Sequence, residues 1–110
     1  MAKVNQEKVF DAEAIRDTSN HNGATINMYD FQLKTIIVEN SLNQQVALQC
    51  QASADGVNNW FNVGSSWNVS ATTDTYQTCD SYFPYMRVQA QCASSPSSGS
   101  LTVYFVEYGQ

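Results

Sequence analysis

Charge is what this sequence has least of. Of its 110 residues, 5 are Lys or Arg and 10 are Asp or Glu, a charged fraction of 14%, against about 25% in an ordinary soluble protein. The basic residues Lys3, Lys8, Arg16, Lys34 and Arg87 are scattered along the chain. A phosphate backbone is held by clustered Lys and Arg. With a net charge of −5, binding to nucleic acid and to an anionic membrane surface are both disfavoured. Histidine occurs once, at His21. Cysteine occurs three times, at Cys50, Cys79 and Cys92, never as CxxC. An odd count argues against a closed disulfide framework, and the missing pair argues against a zinc site. The cysteines are expected as small buried hydrophobes, with one disulfide plus one free thiol as the alternative. No run approaches the roughly 20 apolar residues of a membrane-spanning helix. Nor does an apolar core follow Met1-Ala2-Lys3, so the expectation is a chain made in a cytoplasm, or one whose signal has been removed.

The missing charge is replaced by Asn, Gln, Ser and Thr. These side chains hydrogen-bond without the desolvation cost of a buried ion, so a surface rich in them packs readily against a neighbour. That points to an assembled or extracellular protein. Length predicts a single domain over 1–110, able to bury a core without metal or disulfide help. Residues 1 to about 12 are expected as an extended N-terminal arm.

The dominant pattern is short β segments cut by turns. Val46–Gln51 alternates with Val46, Leu48 and Cys50 on one face, and Met86–Cys92 alternates with Met86, Val88, Ala90 and Cys92 on one face. Leu101–Val106 alternates likewise, and period-two alternation means a sheet with one buried face. Thr35–Glu39 is β-branched and apolar on both faces, which predicts a place near a sheet centre. Weaker strands are expected at Lys8–Phe10, Thr25–Tyr29, Trp60–Val63, Trp67–Ser70 and Thr75–Cys79, and a single turn of helix at Ala12–Arg16. Asn40-Ser41-Leu42-Asn43 reads as a tight hairpin. Ala54-Asp55-Gly56 carries the Asp-Gly turn signal, and Pro96-Ser97-Ser98-Gly99 reads as a flexible link. The expected fold is all-β, an antiparallel β-sandwich of jelly-roll type with about eight strands.

No catalytic constellation is visible. His21 sits in a polar loop with no Ser or Cys directed at it. The carboxylates Asp11, Glu13, Asp17, Asp30, Asp55, Asp74 and Asp80 fall in turns or on solvent faces rather than as a pair across a cleft. No calcium-loop spacing is present. The expectation is therefore no enzyme, no cofactor and no metal. Aromatics offer the functional lead, because Trp60, Phe61, Trp67, Tyr76, Tyr82, Phe83 and Tyr85 fall in one stretch. Exposed Trp and Tyr rings stack on sugars and anchor protein interfaces. Trp60 is expected in the core; Trp67, Tyr82 and Tyr85 are the candidate interface or glycan contacts.

From Ile36 onward the motifs Ser53-Ala54-Asp55-Gly56-Val57-Asn58-Asn59-Trp60, Tyr85-Met86-Arg87-Val88 and the closing strand after Ser98-Gly99-Ser100 cover about two-thirds of the chain. This pattern of an S-x-D-G-x-N-W hairpin and a Y-x-R-V strand resembles small β-sandwich modules of phage virion structural proteins and of related bacterial surface or uncharacterised proteins. The resemblance implies no catalytic residues. It implies a virion structural protein, such as a capsid decoration or tail component, acting as a homo-oligomer or on a major capsid or tail protein. The location it implies is the virion, after synthesis in a host cytoplasm. The alternative is an extracellular adhesive or carbohydrate-binding module, or a filament subunit, holding a surface glycan through its aromatics.

Overall fold

The computed structural model describes residues 3–28, 33–79 and 83–109. Its strands are β1 (Lys3–Glu13), β2 (His21–Asn22), β3 (Ile26–Asn27), β4 (Leu33–Asn40), β5 (Val46–Ser53), β6 (Phe61–Val69), β7 (Thr73–Cys79), β8 (Tyr85–Cys92) and β9 (Leu101–Gly109). They form two antiparallel sheets packed as a sandwich. One sheet has the order β1-β9-β4-β7; the other has β2-β8-β5-β6, with β3 also pairing β8. Taken together, β2 and β3 occupy one strand position, and the eight positions then follow a jelly-roll order.

The alternating segments behave as their sequences predict. Val46, Leu48, Val88, Ala90, Leu101, Val103 and Phe105 are all buried, and removing each large side chain from water contributes about 1.5–3 kcal/mol. β4 lies inside its sheet, between β9 and β7. Ile36 and Val38 fill the core, while Ile37 turns to the outer face at 38% exposure.

The links differ more from expectation. In this topology β5–β6 is the hairpin within a sheet, and the Asn40–Asn43 segment instead carries the chain from β4 in one sheet to β5 in the other. Leu42 fills the gap between the sheets and is fully buried, which a two-residue hairpin turn would not do. The Pro96–Gly99 link also crosses between sheets, and it is tied down. Asn43 Nδ2 donates to Ser97 Oγ (2.8 Å), Ser97 N donates to Asn43 Oδ1 (3.0 Å), and Ser41 N donates to Ser100 O (2.9 Å). Gly99 has φ +86°, and a Cβ there would overlap the Ser41 carbonyl.

The Ala12–Arg16 segment makes no helix; Ala12 has φ 50° and Ile15 plugs the core at 0% exposure. From Lys3 the segment expected as an extended arm is strand β1, paired with β9 from Lys3↔Gly109 to Glu13↔Leu101 with two register shifts. The two weak strands expected at 60–63 and 67–70 are one strand, β6. Its pairing jumps from Leu48↔Trp67 to Cys50↔Val63, so residues 64–66 bulge opposite Gln49, with Gly64 at φ +69°.

Candidate assembly edge

The motif residues that carry the sequence resemblance have local structural causes. Ser53 Oγ accepts from Gly56 N (3.1 Å) and donates to Asn58 O (2.6 Å), while Asp55 Oδ1 accepts from Val57 N and Asn58 N (both 2.9 Å). These backbone donors hold the Asp55 carboxyl below the usual Asp range. Gly56 takes φ +76° with its open side against the Tyr85 ring. Trp60 is not in the core: it is half-buried, with the Arg87 guanidinium 4.2 Å from its ring centroid. Phe61, 46% exposed near the end of the strand, and the half-buried Val63 lie on the same side of β6, opposite the buried Ala52 and Cys50. The parity of the strand therefore turns Trp60 outward.

The candidate contact residues lie apart. Trp67 packs against the core from β6, and its Nε1 is buried with no hydrogen-bond partner among the described residues. Tyr85 sits half-buried over Gly56. The β5 partners of the two are Leu48 and Ser53, so their backbone positions are offset by about 17 Å along the strand direction. Tyr82 lies outside the described residues. Asp17 Oδ1 is 2.7 Å from His21 Nε2; this contact and Ser19 hold the Asp17 carboxyl below its ordinary value. Among the described residues no cluster of His, Cys, Asp and Glu has metal-binding geometry. Cys50 and Cys92 are buried, and burial pushes the Cys92 thiol up; the side chain of Cys79 lies outside the described residues.

What the structure brings together is a pair of unlike sheet edges. At one lateral side, the chain between β2 and β3 stitches the two sheets: Ala24 N donates to Val9 O (3.1 Å) and Gly23 N to Val88 O (2.8 Å). Beside it, β1 is irregular at two places, Lys8/Phe10 and Phe10/Glu13. It carries Lys3, Glu7, Lys8, Asp11 and Glu13. Bulges and charges are the devices by which proteins keep an edge strand from pairing with another chain.

On the opposite side, the β7 edge has little of either. β7 pairs β4 without a register shift from Lys34↔Cys79 to Asn40↔Thr73. Its other edge pairs with no strand among the described residues. In Thr-Asp-Thr-Tyr-Gln-Thr-Cys the one charge is Asp74, and β6, the end strand of the other sheet, has none. The outer face repeats the contrast along one cross-strand row, Lys8–Tyr104–Ile37–Tyr76. At the β1 end Lys8 Nζ covers the Tyr104 ring at 5.7 Å. At the β7 end Tyr76 stands 70% exposed. Tyr76 belongs to the stretch of aromatics the sequence singled out, though not to its candidate contacts, and stands in a strand with almost no charge.

Taken together, the two sheets define a jelly-roll β-sandwich, and solved structures share that fold. The exported protein XepA of PBSX matches with TM-score 0.69 and 13% identity over 99% of this chain, which spans only 37% of the XepA chain. The SPBc2 prophage-derived protein YomS matches with TM-score 0.61 and 15% identity, covering 99% of this chain and 96% of that one. A subunit of the disulfide-linked pili that form Bacillus endospore appendages matches with TM-score 0.60 and 12% identity, over 99% and 90%. No curated protein matches by sequence. The chain belongs to the family described as a domain of unknown function (DUF6385), which matches residues 27–108.

Proposed function

We propose that this chain is a non-enzymatic structural subunit that assembles with copies of itself, joined by strand addition at the free edge of β7. The observation that carries the reading is that edge: regular, without a partner strand among the described residues, almost uncharged, with Tyr76 exposed beside it. Strand addition supplies main-chain hydrogen bonds, and neighbouring side-chain contacts set the register. The sparsely charged surface lowers the desolvation cost of such a contact. The shared fold of an exported PBSX protein, a prophage-derived protein and a pilus subunit supports a place in a virion or an extracellular appendage. Within a virion, the role is capsid decoration or a tail component.

Light scattering on the full chain across a concentration series tests this. The expected result is an oligomer that Tyr76→Lys with Gln77→Lys converts to monomer, while Glu7→Lys on the β1 edge leaves it intact. A wild-type chain that stays monomeric at high concentration, or an oligomer indifferent to the β7 charges, would falsify the reading.

A further inference from the structure

The outer face of the β2/β3-β8-β5-β6 sheet is rich in amide side chains. Across β5 and β8 the register places Ala47 beside Gln91, Gln49 beside Gln89, and Gln51 beside Arg87. Asn62 of β6 stands opposite Gln51. A cleft of about 200 Å³ opens on this face, lined by Asn20, Gln49, Asn62, Ser66, Gln89 and Gln91 among others, with no charged residue in its wall.

Several of these amides are held in one orientation. Gln49 Nε2 donates toward the carbonyls of Cys50 (2.9 Å), Val63 (3.2 Å) and Gly64 (3.3 Å), filling the bulge of β6. Gln91 Nε2 donates to Thr18 O at 3.1 Å. Only the NH2 end of an amide can face a carbonyl oxygen. Both side chains are thereby fixed, and their Oε1 atoms accept no hydrogen bond among the described residues. The third amide is fixed from the other direction. Arg87 Nε donates to Gln51 Oε1 (2.8 Å), so Gln51 Nε2 faces Asn62 Oδ1 (3.1 Å). The Asn62 NH2 group is left as a donor.

We infer that this cleft binds a neutral oligosaccharide, with the Gln49 and Gln91 carbonyls and the Asn62 amide hydrogen-bonding hydroxyls of a sugar unit. The match is chemical. A hydroxyl both donates and accepts, and the cleft offers fixed acceptors and a fixed donor with no charge. An anionic ligand would find no cation among the lining residues, and a cationic one no carboxylate. Pockets for drug-sized ligands are about 300–1,000 Å³. This smaller, open cleft therefore suits one or two units of a longer chain that runs on over the strands. The site lies on the sheet opposite to β7 and goes beyond the assembly reading.

The test is titration of the isotopically labelled full chain with chitohexaose, cellohexaose, maltohexaose and xylohexaose, followed by amide NMR shifts. The expected result is saturable shifts with at least one of the four, centred on residues 47–49 and 89–91. Gln91→Ala with Asn62→Ala should weaken binding tenfold or more with a dispersed spectrum retained, and Tyr76→Lys should bind as wild type. No saturable shift with any of the four, shifts centred elsewhere, or unchanged affinity in the double variant would each overturn the inference. Since Tyr76→Lys reads assembly and not the cleft, loss of one reading leaves the other standing.

Discussion

Along one side of the sandwich the 21–27 segment bonds to both β1 and β8. Along the other, β6 and β7 end their sheets, and their outer edges pair with no strand among the described residues. The first side is bulged, charged and stitched; the second is sparsely charged, and its β7 edge is regular. Both carry strands of the same fold, and both are long enough to template a neighbour. The difference shows that an edge becomes available through what it omits. On the proposed reading β7 needs no special binding residue, because it carries none of the Lys, Pro or bulge that protects an edge from another strand.

Substitutions can break or sharpen that contrast. The largest effect is expected at neither side but at the pinned crossover between them. Gly99→Ala should lower stability by about 2–4 kcal/mol, combining a left-handed backbone with overlap on Ser41. Chemical denaturation checks this, and a loss under about 1 kcal/mol would mean the crossover gives way easily. Next come two glycines, one from each side. At Gly23 a Cβ would lie 3.0–3.1 Å from Phe10, the Val9 carbonyl and the Val88 carbonyl, whereas at Gly64 nothing lies within 4 Å. Gly23→Ala is expected to cost about 1–3 kcal/mol through crowding, and Gly64→Ala about 1–2 kcal/mol through its positive φ alone. In Gly64→Asn, a residue that tolerates this conformation, most of the Gly64 loss should vanish; the same change at Gly23 should make matters worse. Equal responses at the two sites would remove the packing distinction between the sides.

The smallest effect concerns acid. The Asp55 carboxyl has a folded pKa below its unfolded value, near 3.9, because backbone N–H groups bind the charged form. Its contribution to stability is therefore present above the unfolded pKa and lost as pH falls through the folded one. Asp17, on the stitched side, is depressed by His21 and Ser19 and carries the same sign. Melting temperature followed from about pH 5 to pH 2 should fall less steeply in Asp55→Asn than in wild type. A parallel decline would show that the loop does not feel the charge.

Much of the architecture was legible in the sequence, and the part that was not has a clear cause. Period-two alternation states which side chains face a core; it does not state which of two sheets the strand joins. Thus β4, β5, β8 and β9 were readable residue by residue. The crossover at Asn40–Asn43 nevertheless read as a hairpin, because the same polar residues serve both. Lys3–Lys8 read as an arm because charged edge strands lack a strong apolar pattern, yet β9 supplies their backbone partners. The bulge in β6 split one strand into two weak ones. At the candidate site the sequence singled out Trp67, Tyr82 and Tyr85, whereas the proposed edge presents Tyr76 from the same stretch of aromatics. Ring size drew attention to the tryptophans, whereas exposure follows strand parity and edge position, which only pairing reveals. The amide cleft left no motif, since its members come from separate strands and the loop at Asn20.

Asn40 gives the open side a direction in time. Its side chain, 1% exposed, donates to Ser70 O at 3.0 Å and accepts from Leu42 N at 3.1 Å, and Thr72 N donates to Leu42 O at 3.1 Å. The turn joining β6 to β7 is thus fastened to the crossover, while the remainder of β7 has one strand neighbour among the described residues. Local opening takes the least-held segments first. In deuterium-exchange terms the edge should behave as a hinged flap: amides near Thr73 are expected to be the last of β7 to exchange, and those toward Thr78 to go earlier.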